Sequence, residues 1–184
     1  MNRGEKPSGF DPLTLPESNA TSYPEAFRAG NQQRWNRRLG DHAGLTNYGV
    51  NMTRIVPGGQ SSHRHAHSRQ EEFIVVMQGT VELETNAGVE VLTPGMCAGF
   101  PAGTGNAHRF VNRSAEDVLL LVIGDRTPAE EVTYPDIDLQ LRQEGDGPNC
   151  IQAGSLSADC ELGEASRRQT MNQQKRVRPP RPVI

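Results

Sequence analysis

Residues 57–79 read PGGQSSHRHAHSRQEEFIVVMQG: three histidines at alternating positions, then a glutamate at the head of an apolar run. Side chains on an extended strand alternate between its faces, so His63, His65 and His67 are expected on one side. Glu72 follows after a short turn at 68–71, where the phase of the alternation is reset. Neutral imidazole nitrogen and carboxylate oxygen together suit a divalent transition metal: zinc, iron, manganese, nickel or cobalt.

The segments on either side carry the period of β-structure. Residues 47–56 (NYGVNMTRIV) alternate and are β-branched, and PGG breaks them. EFIVVM at 72–77, VELET at 81–85 and VEVL at 89–92 follow, separated by Gly- and Asn-containing turns. After Pro94-Gly95 come 96–100, the Gly-rich PAGTG, and HRFVN at 108–112. VLLLVI at 118–123 is the most apolar segment and is expected at the centre of a sheet. Short strands at close spacing, with no helical period among them, indicate an all-β sandwich or barrel.

The flanks differ. Residues 1–30 are rich in Pro, Ser and Asn and form an arm, ordered only where laid against something. Trp35 and Leu39 are four apart, as on one helical turn, within an otherwise polar QQRWNRRLG. Val132, Tyr134, Ile137, Leu139 and Leu141 are spaced as for irregular packing over a surface. The organisation expected is an arm over 1–30, a β-barrel over 31–142 and a polar, largely disordered tail over 143–184, ending RVRPPRPVI.

Charge and composition narrow the function. The chain has 19 Lys and Arg against 22 Asp and Glu, and six of the bases follow Glu164, the last acid. The first 164 residues therefore hold 13 bases against 22 acids, a body not suited to nucleic acid. No apolar stretch approaches the roughly 20 residues that span a bilayer, and the first residues lack the apolar core of a signal peptide. A soluble cytoplasmic protein without membrane or nucleic-acid partners is expected. Three cysteines without a CxxC do not describe a disulfide framework, and Cys97, in an apolar run, is expected to be buried.

Two motifs carry a resemblance. Gly59, His65, His67, Glu72 and Gly79 fit G-x5-H-x-H-x(3,4)-E-x6-G at every spacing. Gly95, Pro101, Gly103, His108 and Asn112 follow G-x5-P-x-G-x2-H-x3-N, with four residues instead of two between Gly103 and His108. In this the chain resembles the cupin superfamily, specifically small single-domain bacterial cupins of the "cupin 2" type. Some members of that branch are labelled sugar-phosphate isomerase-like or auxin-binding-like. The resemblance implies a double-stranded β-helix, the jelly-roll barrel, with a metal held by His65, His67, Glu72 and His108. It also implies a homodimer, and the long arm is compatible with that.

His63 departs from the family pattern: it is a substrate contact, a group supporting the ligands, an alternative ligand or a solvated strand-end histidine. With Arg54 and Arg109 it is a candidate catalytic or substrate-contacting residue, although Arg54 precedes Ile55 and the apolar neighbour is the better fit inside. His42 has no partner in the sequence, and Glu71 is expected to face solvent. The first functional expectation is a metal-dependent enzyme on a small polar metabolite, an isomerase, decarboxylase, lyase or dioxygenase. The alternative is a non-catalytic cupin that binds or senses a small molecule; a purely structural partner subunit is the third reading.

Overall fold

The structure is a computed structural model and describes residues 8–143, 149–153 and 161–162. Its strands are β1 (Arg34–Arg38), β2 (Tyr48–Ile55), β3 (Ala66–His67), β4 (Glu72–Gln78), β5 (Val81–Thr85), β6 (Gly88–Leu92) and β7 (Cys97–Phe100). They continue with β8 (Arg109–Val111), β9 (Val118–Asp125), β10 (Glu131–Tyr134), β11 (Leu139–Gln143), β12 (Asn149–Ala153) and β13 (Glu161–Leu162). One wall is a five-stranded sheet in the order β1-β2-β9-β4-β7, antiparallel throughout. The apolar β9 lies at its centre, as its composition leads one to expect.

The facing wall joins two sheets, β13-β12-β11-β10-β3 and β6-β5-β8. Bridges His65↔His108 and Gln60↔Val111 connect them into one curved surface. Between the walls lie Ile55, Ile74, Val76, Val118 and Leu120 from one side and Val81, Leu83, Leu92 and Phe110 from the other. Burying each such side chain contributes roughly 1.5–3 kcal/mol, which makes this core the main source of the fold's stability. The result is the jelly-roll barrel that the motifs imply.

The motif glycines and asparagine have physical reasons. Gly79 has φ +79°, and a Cβ there would sit 2.7 Å from the Asp117 carbonyl oxygen, so only glycine fits. A Cβ on Gly59 would meet Gln33 Cβ at 2.8 Å. Asn112 is fully buried; its Nδ2 donates to the carbonyls of Ile55 (2.8 Å) and Glu116 (2.7 Å), and its Oδ1 accepts from Ser114. It closes the turn into β9.

The N-terminal arm lies against the barrel. Ser18 bridges to Asn36, Glu17 pairs with Arg37 (2.6 Å) and Arg54 (2.8 Å), and Tyr23 packs with Val132, Tyr134, Leu139 and Leu141 in a second apolar cluster. Three readings of the sequence change here. Residues 34–38 form an edge strand paired with β2, not a helical turn; the five-residue helix Leu39–Ala43 follows it. The apolar residues of 132–141 alternate on the β10–β11 hairpin, so their packing is regular. Beyond β11 the strands β12 and β13 pair at the sheet edge, and the rest of the expected tail, 144–148, 154–160 and 163–184, lies outside the described residues. Cys97 is exposed because its position opposite Val75 places it on the outer face of an edge strand.

Candidate metal centre

His65 and His67 come from one wall and Glu72 from the other. β3 pairs with β10, whereas β4 pairs with β7 and β9, so the turn at 68–71 crosses between sheets. Glu72 shares the inward parity of Ile74 and Val76. The turn is held by Glu130, whose buried carboxylate accepts from the backbone N–H groups of Ser68 (2.7 Å), Arg69 (3.1 Å) and Gln70 (2.6 Å). His108 is set by backbone bonds in both directions with His65, 2.8 and 3.1 Å. The extra residues before it are absorbed in a loop that Asn86 holds through Gly105 and Asn106, so the insertion does not shift the histidine.

Three imidazole nitrogens converge on one carboxylate oxygen. The Nε2 atoms of His108, His67 and His65 lie 2.8, 3.5 and 3.7 Å from Glu72 Oε2. Donor atoms of His65, His67 and Glu72 all fall within 4.8 Å of one another, a group that can hold a metal ion. Phe100 stacks on His108 at 3.5 Å, fixing the plane of that ring. His65 Nδ1 donates to the His63 carbonyl at 2.9 Å, which leaves Nε2 as the nitrogen that faces the cluster.

The unsatisfied atoms fit a metal. Both nitrogens of His67 and Nδ1 of His108 are buried without a hydrogen-bond partner. A buried polar group in that condition costs about 1–3 kcal/mol, and a cation on His67 Nε2 removes one such cost. His67 Nδ1 faces Glu130 Oε1 at 3.6 Å, the carboxylate–histidine pairing that orients metal-bound imidazoles. Burial works to raise the Glu72 pKa, but the surrounding imidazoles, His108 first, override it and hold the carboxyl well below its usual range. Burial also disfavours the His67 imidazolium; Glu72 and Glu130 outweigh it and raise that pKa overall. For His108 burial prevails and the pKa is lowered.

The cluster lies in the wall of a cavity of about 420 Å³. Its floor is apolar, from Ile74, Phe110, Leu120 and Val122. A polar flank comes from alternate residues of β1 and β2: Arg34, Asn36, Asn51 and Thr53. Tyr23 of the arm and Tyr134 of β10 line the remaining side.

The other candidates lie elsewhere. Residues 61–64 are bends and not strand, so alternation does not carry back to His63. His63 Nε2 is 2.8 Å from the Phe27 carbonyl oxygen, and its ring meets Tyr23 edge-on. Arg54 is bound to Glu17 and Asp117 over Trp35, and Arg109 to Glu84 and Gln60. None of the three lines the cavity. Glu130, Arg34, Tyr23 and Tyr134 do, and nothing in their local sequence marks them.

Comparison with known proteins agrees with this geometry. Residues 51–124 match the cupin domain model. A sugar phosphate isomerase of the cupin superfamily from Silicibacter pomeroyi is 37% identical, with 84% of this chain and 99% of that one covered and a TM-score of 0.76. The chain belongs to the cupin superfamily. A putative sugar phosphate isomerase from Acidithiobacillus ferrooxidans is 30% identical over 70% of this cupin and 81% of its own chain, TM-score 0.62. A predicted oxalate decarboxylase from Thermotoga maritima shares the fold, TM-score 0.53, at 13% identity. No curated protein matches the chain.

Proposed function

We propose that this cupin is a metal-dependent enzyme acting on a small polar metabolite, with His65, His67, Glu72 and His108 holding a divalent zinc, iron, manganese, nickel or cobalt ion. The observation that carries the reading is the convergence of three Nε2 atoms on Glu72 Oε2 at the wall of an open cavity. A bound metal supplies a Lewis acid for a substrate oxygen. Glu72 enters as an anion, His65 with Nε2 already facing the cluster, and His67 braced by Glu130. The floor and the buried arm residue Tyr23 offer apolar surface to the substrate's carbon skeleton, while Asn36, Asn51 and Thr53 offer hydrogen bonds to hydroxyl or carbonyl groups. The names of the two most identical solved relatives make sugar phosphate isomerisation the reaction to test first.

The test is proton NMR of metal-loaded protein with a panel of aldose and ketose phosphates in deuterium oxide. Isomerisation with deuterium entering beside the carbonyl, and its loss in His67→Ala, is the expected result. Saturable binding across the panel with no turnover would replace the enzyme by a binding module.

We further propose that the molecule is a homodimer joined through the outer face of the β1-β2-β9-β4-β7 sheet. Phe73 and Met77 are 46% and 52% exposed there, beside partly buried Val75, Leu119, Leu121 and Ile123. A contiguous apolar surface on a sheet face marks an interaction site.

A further inference from the structure

Arg34 differs from the other cavity-lining arginine. Arg126 is already paired with Asp41, whereas Arg34 has no carboxylate partner among the described residues. Its Nη1 donates to the Ser61 carbonyl at 3.0 Å, and its Nε is buried with no partner. The Nε–Nη2 edge of the guanidinium is therefore uncommitted, on a residue that lines the cavity beside Tyr23 and Tyr134. Burial lowers the Arg34 pKa, yet a guanidinium stays cationic in proteins. An uncompensated cation in the cavity wall is costly, and no carboxylate among the described residues offsets it.

We infer that the Nε–Nη2 edge of Arg34 is a subsite for an oxyanion group, phosphate or carboxylate, carried by the substrate. The planar fork presents two parallel N–H donors at the spacing of two oxygens on such a group. Burial, first of all, raises the pKa values of both tyrosines, so they stay protonated; Tyr134 donates to Tyr23, which leaves the Tyr23 hydroxyl to donate to a ligand. The metal cluster is near: Ser61, which accepts from Arg34, is followed by Ser62, whose Oγ is 3.1 Å from His65 Nδ1. The ring of Tyr134 is 6.0 Å from that of His65. Arg34 and the cluster line the same cavity, which lets one substrate present its anionic end to Arg34 and an oxygen-bearing carbon to the metal. This assignment rests on the proposed function in placing the substrate in the same cavity.

The experiment is calorimetric titration of inorganic phosphate, and in parallel acetate, into metal-loaded wild type, Arg34→Gln, Arg34→Lys and His67→Ala, with metal content and thermal unfolding recorded for each. Phosphate binding, acetate binding or both is expected in wild type, and the stronger of the two identifies the source of the oxyanion. Arg34→Gln is expected to weaken it at least about tenfold, as loss of a charge-assisted bond does, with metal content unchanged. Arg34→Lys keeps the charge but not the fork and should fall between. Wild-type affinity in both Arg34 variants, or no binding of either anion to wild type, overturns the subsite while leaving the metal centre standing. Binding lost in His67→Ala but intact in Arg34→Gln overturns it too, since the anion would then sit on the metal. A wild type without metal defeats the proposed function instead, and phosphate binding that still depends on Arg34 keeps the subsite.

Discussion

At the scale of the residue, the histidine–glutamate cluster was legible and the groups that support it were not. His65, His67, Glu72 and His108 are chemically uncommon residue types at fixed spacing, so their local sequence carries the signal. Glu130 is one of two adjacent glutamates at the start of β10, and only the fold turns it inward onto three backbone N–H groups of the 68–71 turn. Arg34 faces the cavity because β1 pairs with β2 in a register that puts it opposite Ile55, a long-range fact. His63 fails the parity rule because the chain bends before β3. Glu130→Ala leaves the Arg69 and Gln70 N–H groups without this acceptor, while the Ser68 N–H keeps the Glu131 carbonyl at 3.0 Å, and we expect a loss of about 1–3 kcal/mol in urea unfolding. An unchanged midpoint would mean that the turn does not depend on this carboxylate.

At the scale of the element, alternation located the barrel strands to within a residue or two, but the edge strand β1 escaped it. β1 is polar because one face meets the cavity and the other meets Glu17 and the arm, so it shows no apolar stripe. The arm itself is fastened electrostatically. Hydrogen bonding from Arg54, with the charges of Arg54 and Arg37, outweighs burial and lowers the Glu17 pKa below its usual 4.5. A carboxyl whose pKa is depressed by folding stabilises the fold above its unfolded value and loses that contribution as the pH falls through the folded one. The stability difference between wild type and Glu17→Gln should thus be constant above about pH 5 and shrink on acidification. Urea midpoints measured from neutral pH to acid check this, and a difference that grows towards acid would contradict it.

At the scale of the whole molecule, the barrel and its family could be read from two motifs, whereas the apolar outer face could not, because which face of β4 looks outward depends on the sheet it joins. No helix among the described residues is long and apolar enough to cross a membrane. If copies meet on the outer face, light scattering should give twice the chain mass, and Phe73→Glu with Met77→Lys should give monomers with metal content retained. A stable interface of this kind buries about 800 Å² per partner; a wild-type monomer would defeat the dimer. The metal centre is decided by elemental analysis of the full chain purified without added metal salts. About one transition-metal ion per chain is expected, falling sharply in His67→Ala and in His108→Ala and unchanged in His63→Ala. Wild-type protein carrying less than about a tenth of an ion per chain, against the strong binding that a preformed site gives, would contradict it.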